Sequence, residues 1–264
     1  MSLSLDHGPR YPGIRPAHLV ARPLGYLISP LLVTQGRMVR TGRPRLPNAP
    51  MPWSGTISGP NPLRLLGLGD STIAGVGVDN PMLGLTAQLA RALYKELGRG
   101  VGWDSFGERG ITTGQLLEEY LPEALNESED VDIAMVSIGA NDAKNLQPRR
   151  RAVNNVAEIV DTLHERFPNA LVLVSSLPAF HKFTSLPEPL RTVMANHGKG
   201  IEVGMRRVVE SRPFALMSPP PRDYPPTFFA EDGFHPGSEG YRVWASFAVS
   251  DAVGRGALEH LRPR

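Results

Sequence analysis

The chain contains no cysteine. That absence removes a disulfide framework, thiolate zinc sites, iron–sulfur clusters and a cysteine nucleophile together. An excess of one charge is also missing. Lys and Arg number 28 against 26 Asp and Glu, a formal +2, so a nucleic-acid partner held mainly by charge is not expected. No apolar run approaches the ~20 residues needed to cross a bilayer. The longest, Leu24 to Val33 (LGYLISPLLV), is interrupted by Pro30 and flanked by Arg22, Arg37 and Arg40. Several motif classes are lacking too. No serine sits in G-x-S-x-G, which argues against the strained elbow of α/β-hydrolases. Gly67, Gly69 and Gly75 do not make G-x-G-x-x-G, and Gly198-Lys199 lacks the Ser or Thr of a phosphate loop. There is no H-E-x-x-H, and no catalytic metal is implied.

What is present is a chain of 264 residues with 41% hydrophobic content, enough to bury the core of one α/β domain. Gly (27) and Pro (26) are abundant, so much of the chain is shaped loop. Arg is used 24 times and Lys 4, a bias that suggests a GC-rich bacterial coding source. Residues 1–62 read as an N-terminal arm. Its stretch 41–62 is a Pro/Gly/Asn-rich connector. Pro9, Pro12 and Pro16 do not suit the basic start of a secretory signal, and Thr34-Gln35-Gly36 offers no small-x-small cleavage site. The expected location is therefore cytoplasmic. The plain reading of the arm is an apolar segment packed on the domain. The sharper one is a peripheral membrane contact through residues 24–40, with arginines at the headgroups.

From Leu63 onward, short apolar runs alternate with longer amphipathic ones. Leu65–Leu68, Val101–Phe106, Val131–Ile138, Ala170–Ser175 and Phe214–Met217 read as strands. Pro81–Leu97, a segment capped at Thr112 or Thr113 and running to about Leu125, Pro148–Phe167, Leu190–Glu210 and Gly237–Val253 read as helices. Gly198, Gly200 and Gly204 weaken the fourth of these. Five strand–helix alternations predict a mostly parallel sheet of about five strands between helical layers, in residues 63–264. In such sheets sites form at the carboxyl ends of the strands.

The residues at those ends are informative. Gly69-Asp70-Ser71-Thr72 follows the first strand, and Glu108-Arg109-Gly110 the second. Gly139-Ala140-Asn141-Asp142 follows the third, and Asp232-Gly233-Phe234-His235-Pro236 precedes the last helix. A serine hydroxyl needs an adjacent base to attack a carbonyl. His235 can take its proton, and Asp232, three residues earlier, can hold the imidazole and stabilise its cation. The backbone N–H groups of Ser71 and Gly110 and the Asn141 amide could meet the developing oxyanion. Each residue alone has a plain alternative: Ser71 as a turn cap, Asn141 and Asp142 as turn formers, His235 as a surface histidine. His7, His18, His164, His181, His197 and His260 take that plain reading, and the basic run Arg149-Arg150-Arg151 reads first as a solvated face.

GDST, a glycine in the following loop, GAND and DGFHP, in this order, resemble the SGNH hydrolases, the GDSL-like esterase and lipase superfamily. The resemblance covers about Leu63 to Val253. It implies a three-layer α/β/α, flavodoxin-like fold and a catalytic triad of Ser71, Asp232 and His235. Ser71, Gly110 and Asn141 become the oxyanion donors; Gly107 and Gly114 are alternatives to Gly110, which is preferred because Thr112 follows it as in the family's Gly-x-Thr. Thr72 departs from the leucine of the name-giving motif. The implied activity is hydrolysis of a carboxylic ester through an acyl-enzyme on Ser71, of lipase, lysophospholipase or arylesterase type, with a small-molecule or lipid ester as partner. Acyl transfer to an acceptor other than water and a non-catalytic membrane-peripheral protein of the same fold are the alternatives. Two loops rich in Pro and aromatics should flank the site, and Phe180, Phe183, Phe228 and Phe229 are expected to line an acyl pocket.

Overall fold

In the computed structural model, residues 13–263 are described except Thr184 and Pro226; His7, Pro9, Arg10 and Pro12 fall outside the described residues. The strands are β1 (Ser54–Ile57), β2 (Leu63–Gly69), β3 (Val101–Gly107), β4 (Ile133–Ser137), β5 (Leu171–Val174) and β6 (Ala215–Met217). The helices are α1 (Pro16–Leu27), α2 (Ser29–Thr41), α3 (Leu85–Leu97), α4 (Thr113–Gln115), α5 (Leu121–Glu127), α6 (Ala140–Lys144), α7 (Arg149–Arg166), α8 (Leu190–Glu210) and α9 (Ser238–Gly254).

The sheet runs β1-β3-β2-β4-β5-β6. All neighbours are parallel except β1, which pairs antiparallel with β3 at the edge. Successive side chains of a strand point to opposite faces, and here both faces are apolar. Leu66 and Leu68 of β2, Ala134 and Val136 of β4, and Val172 and Val174 of β5 pack under α7 and α8. Leu65, Ile133, Met135, Leu171 and Leu173 pack under α3 and α9. Burial on both faces is why these strands read as unbroken apolar runs. The architecture is the three-layer α/β/α sandwich, with a sixth strand.

That sixth strand, β1, lies in the stretch read as connector. Its sequence SGTI has no apolar run and alternates exposed with half-buried positions, as an edge strand does. The segment after β3 also differs from a single helix. α4 is preceded by the cap Thr112, whose hydroxyl and backbone N–H both meet the Gln115 side chain. A π turn spans Leu116–Tyr120 and α5 follows with Pro122 in its first turn. Proline has no N–H to give to the preceding turn, so the register shifts there.

The glycines of α8 are explained by what they touch. A Cβ at Gly198 would lie 3.0 Å from the Phe180 ring, one at Gly200 would lie 3.2 Å from the carbonyl of His18 in α1, and one at Gly204 would run into Val153 of α7. The helix gives up propensity at these positions for close approach. Residues 16–41 of the arm form two consecutive helices joined at Ile28, with helical hydrogen bonds from the Ile28 N–H to Leu24 and from the Leu32 N–H to Ile28 across the joint. Pro30 falls at the start of α2, where a missing N–H costs nothing. Ala21, Gly25 and Leu32 are the buried residues of the two helices, α1 lying along α8.

Candidate active site

β2 ends in Gly69, where a Cβ would run into the carbonyl oxygen of Ser137. Only glycine lets the turn into Asp70 pass so close to β4. The Asp70 N–H donates to that same carbonyl at 3.0 Å. The buried Asp70 carboxylate accepts from the N–H and hydroxyl of Thr72, each at 3.1 Å. Burial raises its pKa, against the pull of those hydrogen bonds. Thr72, the departure from the motif, adds a hydroxyl bond to Ser137 at 2.7 Å. The turn carrying Ser71 is thus tied down on both sides, with Ser71 itself 9% exposed.

Asp232 and His235 lie on a tight turn before α9, with Gly233 at φ 61°. One carboxylate oxygen of Asp232 accepts the backbone N–H groups of Phe234 and His235, both at 2.9 Å. The other lies 2.6 Å from His235 Nδ1. Burial disfavours the Asp232 charge, but the bonds from His235 and from the two N–H groups outweigh it and hold the carboxyl below its usual range. An ionised carboxylate only accepts, so Nδ1 carries the proton and Nε2 is left as acceptor. Ser71 Oγ stands 3.2 Å from Nε2. The structure therefore brings together Ser71, His235 and Asp232 across 164 residues of sequence.

Asn141, in the first turn of α6, and the loop carrying Gly110 belong to two segments laced to each other. Asn141 Nδ2 donates to the Ile111 carbonyl at 2.9 Å. Asp142 accepts from the N–H and hydroxyl of Thr113 at 2.9 and 2.8 Å. Lys144 Nζ donates to Asn141 Oδ1 at 2.6 Å, which fixes which end of the amide is the donor. Gly110 is exposed, at φ 87°, with nothing within 4 Å of a Cβ. Gly107, by contrast, packs against the Gly69 carbonyl, and Gly114 lies inside α4 beside Asn155. Asp142 and Thr113 were not singled out as partners in the sequence, since nothing in either segment names the other.

Of the four phenylalanines expected around an acyl site, Phe180, Phe183 and Phe228 are 2–3% exposed and belong to the two cores. A phenyl ring gains most by full burial; Phe180 at the same time lines a cavity with Leu177, Ala179 and His181. Phe229 is half-buried, edge-on to Phe183 at 5.0 Å. Phe234, not singled out in the sequence, links the cluster to the site: it lies edge-on to Phe183 at 5.3 Å and to His235 at 5.2 Å. Of the other histidines, His164 stacks on Phe214 at 3.6 Å, and buried His197 bonds the Gln147 carbonyl at 2.9 Å. Among the described residues no group of His, Asp and Glu is placed to hold a metal ion.

A parallel sheet with Ser, His and Asp at its carboxyl end defines an ester-hydrolase-like architecture, and the comparisons place the chain within it. The profile of the GDSL-like Lipase/Acylhydrolase family matches residues 68–243. The chain belongs to that family and is an ester-hydrolysing enzyme. It is 25% identical over 250 residues to the GDSL-like esterase Rv1075c of Mycobacterium tuberculosis, covering 84% of this chain and 77% of the relative. Two solved structures share the fold. A lipase, Lip_vut3, from goat rumen metagenome matches with TM-score 0.61 and 19% identity, over 74% of this chain and 99% of its own. A family 3 carbohydrate esterase of Clostridium thermocellum matches with TM-score 0.59 and 17% identity, over 77% of this chain and all of its own.

Proposed function

We propose that the enzyme is a serine esterase working through an acyl-enzyme on Ser71. The observation that carries the reading is the unbroken relay from Ser71 Oγ to His235 Nε2 at 3.2 Å and from Nδ1 to Asp232 at 2.6 Å. His235 removes the hydroxyl proton as Ser71 attacks the ester carbonyl, and returns it to the leaving alcohol. It then activates a water that releases the acid. Asp232 stays ionised throughout and stabilises the imidazolium. The backbone N–H groups of Ser71 and Gly110 and the remaining amide hydrogen of Asn141 supply the oxyanion donors, a role supported by the left-handed, uncovered backbone at Gly110. The reaction needs no cofactor. Phe234, beside His235, and Phe229, a less buried ring of the same aromatic cluster, are the natural contacts for an acyl chain. A small soluble ester or a lysophospholipid is the substrate class this supports.

Hydrolysis of p-nitrophenyl esters from acetate to palmitate, by the parent and by Ser71→Ala, tests the reading. Loss of turnover by about 10⁵-fold or more in the variant is expected. A fluorophosphonate should label the parent and not Ser71→Ala. Equal activity or equal labelling of the two proteins would remove Ser71 from the mechanism. Labelling of Ser71 without hydrolysis of any ester would redirect the reaction to an acceptor other than water.

A further inference from the structure

The esterase reading uses one end of the sheet and leaves the α1–α2 segment without a task. The two helices bury Ala21, Gly25 and Leu32, and among the described residues nothing covers their other side. Among the described residues, eight of the ten large apolar side chains left exposed lie between Leu19 and Met38. Leu24, Leu27 and Leu31 are among them, and Leu27 is 79% exposed. Val20, Leu24 and Leu27 recur at helical spacing and so form one stripe. A contiguous apolar patch of this kind marks a contact surface rather than scattered surface leucines.

The charge around the patch is one-sided. Between Asp6 and Asp70 there is no acidic residue, but there are eight arginines. Residues 1–62 hold seven arginines and one aspartate, a net +6, whereas the whole chain is +2. The arm therefore carries all of the positive excess and the rest of the chain is net negative. Arg22 and Arg43 are half-buried and donate to carbonyl groups of the domain. Arg15, Arg37, Arg40 and Arg45 are exposed, and among the described residues none of them forms an ion pair.

Length separates the ways a bilayer could be met. The helices have 12 and 13 residues, about 20 Å each, and no described helix is long and apolar enough to cross a membrane. They suit an orientation flat in the interface. A second copy of the chain fits the patch poorly, because a two-fold contact would bring two acid-free, arginine-rich arms face to face. An anionic surface neutralises the same arginines.

We infer that the α1–α2 segment is an interfacial anchor. It binds the surface of an anionic lipid bilayer, with Leu24, Leu27 and Leu31 entering the acyl boundary and Arg15, Arg37, Arg40 and Arg45 at the lipid phosphates. The inference stands apart from the role of Ser71, since adsorption requires no turnover.

Flotation of the full chain with vesicles tests it. Binding is expected to phosphatidylcholine vesicles containing phosphatidylglycerol, to fall as salt is raised, and to be weak with phosphatidylcholine alone. Leu27→Asp combined with Leu31→Asp should weaken binding at least about tenfold. Arg37→Ala and Arg45→Ala should each weaken it about fivefold. Thermal melting and hydrolysis of a short soluble ester by these variants should match the parent, which separates loss of anchoring from misfolding and from any failure of the esterase reading. Absence of binding to the phosphatidylglycerol vesicles at low salt would overturn the inference. So would equal binding to both vesicle types, or a solution dimer that Leu27→Asp dissociates.

Discussion

The catalytic end of the sheet and the two helices of the arm are held by different means. At the catalytic end, buried polar groups satisfy one another across loops: Asp70 with Thr72, Asp142 with Thr113, Asn141 with Ile111, and Asp232 with two backbone N–H groups and His235. Each position is determined several times over. The α1–α2 segment has few such ties. It sits on α8 through Gly25 and Gly200, and its polar contacts are mainly to backbone carbonyls, such as Arg22 to Leu146 and Gln35 to Glu188. A buried polar network rigidifies the groups it joins, which suits chemistry. Close helix contact with a free outer face suits recruitment. The two regions meet at Arg43, whose guanidinium donates to the backbone carbonyls of Asp232 and Ser185.

The contrast can be broken by substitution, and the largest effect belongs to the network. Asp232→Asn should lower kcat by about 10⁴-fold, because the amide favours the wrong imidazole tautomer. Its effect on stability has a definite sign. The native carboxyl is held below its usual range, so its contribution is full above pH about 4 and disappears as pH falls through the depressed native value. Denaturant unfolding of parent and variant should therefore differ at pH 7 and converge in acid; a constant gap would contradict the assignment.

Asn141→Ala comes next, with a loss of about 10²–10³ in kcat. The effect should be on kcat more than KM, since the donor meets charge that develops only in the transition state. A change confined to KM would argue that the amide only closes the loop onto Ile111. Arg43→Met tests whether the regions are coupled. A charge-assisted hydrogen bond to the Asp232 turn is removed, and a loss of about tenfold in kcat is expected, with vesicle binding retained. The smallest effect on activity should follow Gly25→Val. A Cβ at Gly25 would lie 2.9 Å from Leu146 and 3.0 Å from Val193, so α1 should be pushed off α8 at a cost of about 1–3 kcal/mol. Soluble-ester turnover within a few-fold of the parent would keep the regions separate; a drop as large as that of Arg43→Met would join them.

The parts of the fold legible from residues alone were those whose signal is local. Buried parallel strands carry continuous apolar runs, so β2 to β6 stand within a few residues of their expected places, and α8 runs over Leu190–Glu210 despite its glycines. β1 was hidden because a four-residue edge strand exposes half its side chains. The two helices of the arm were hidden because Pro30 interrupts the apolar run, although it falls at the start of α2. For the phenylalanines, composition indicated aromatic loops but not which way the rings face. Phe234 rather than Phe180 lies beside His235, because the turn at Gly233 directs it there while Phe180 fills the space over Gly198.

Residue types and their order sufficed for the chemical inventory: a serine, a histidine with an aspartate three residues before it, an asparagine after a strand, and the absence of thiols and metal motifs. Tertiary structure alone decided that Ser71 meets His235, that the Gly110 loop and α6 are cross-tied through Thr113 and Asp142, and that the arm turns its leucines outward. The division is physical. Propensity and periodicity act over a few neighbouring residues, whereas hydrogen bonds and burial between distant segments exist only after the sheet has brought those segments together.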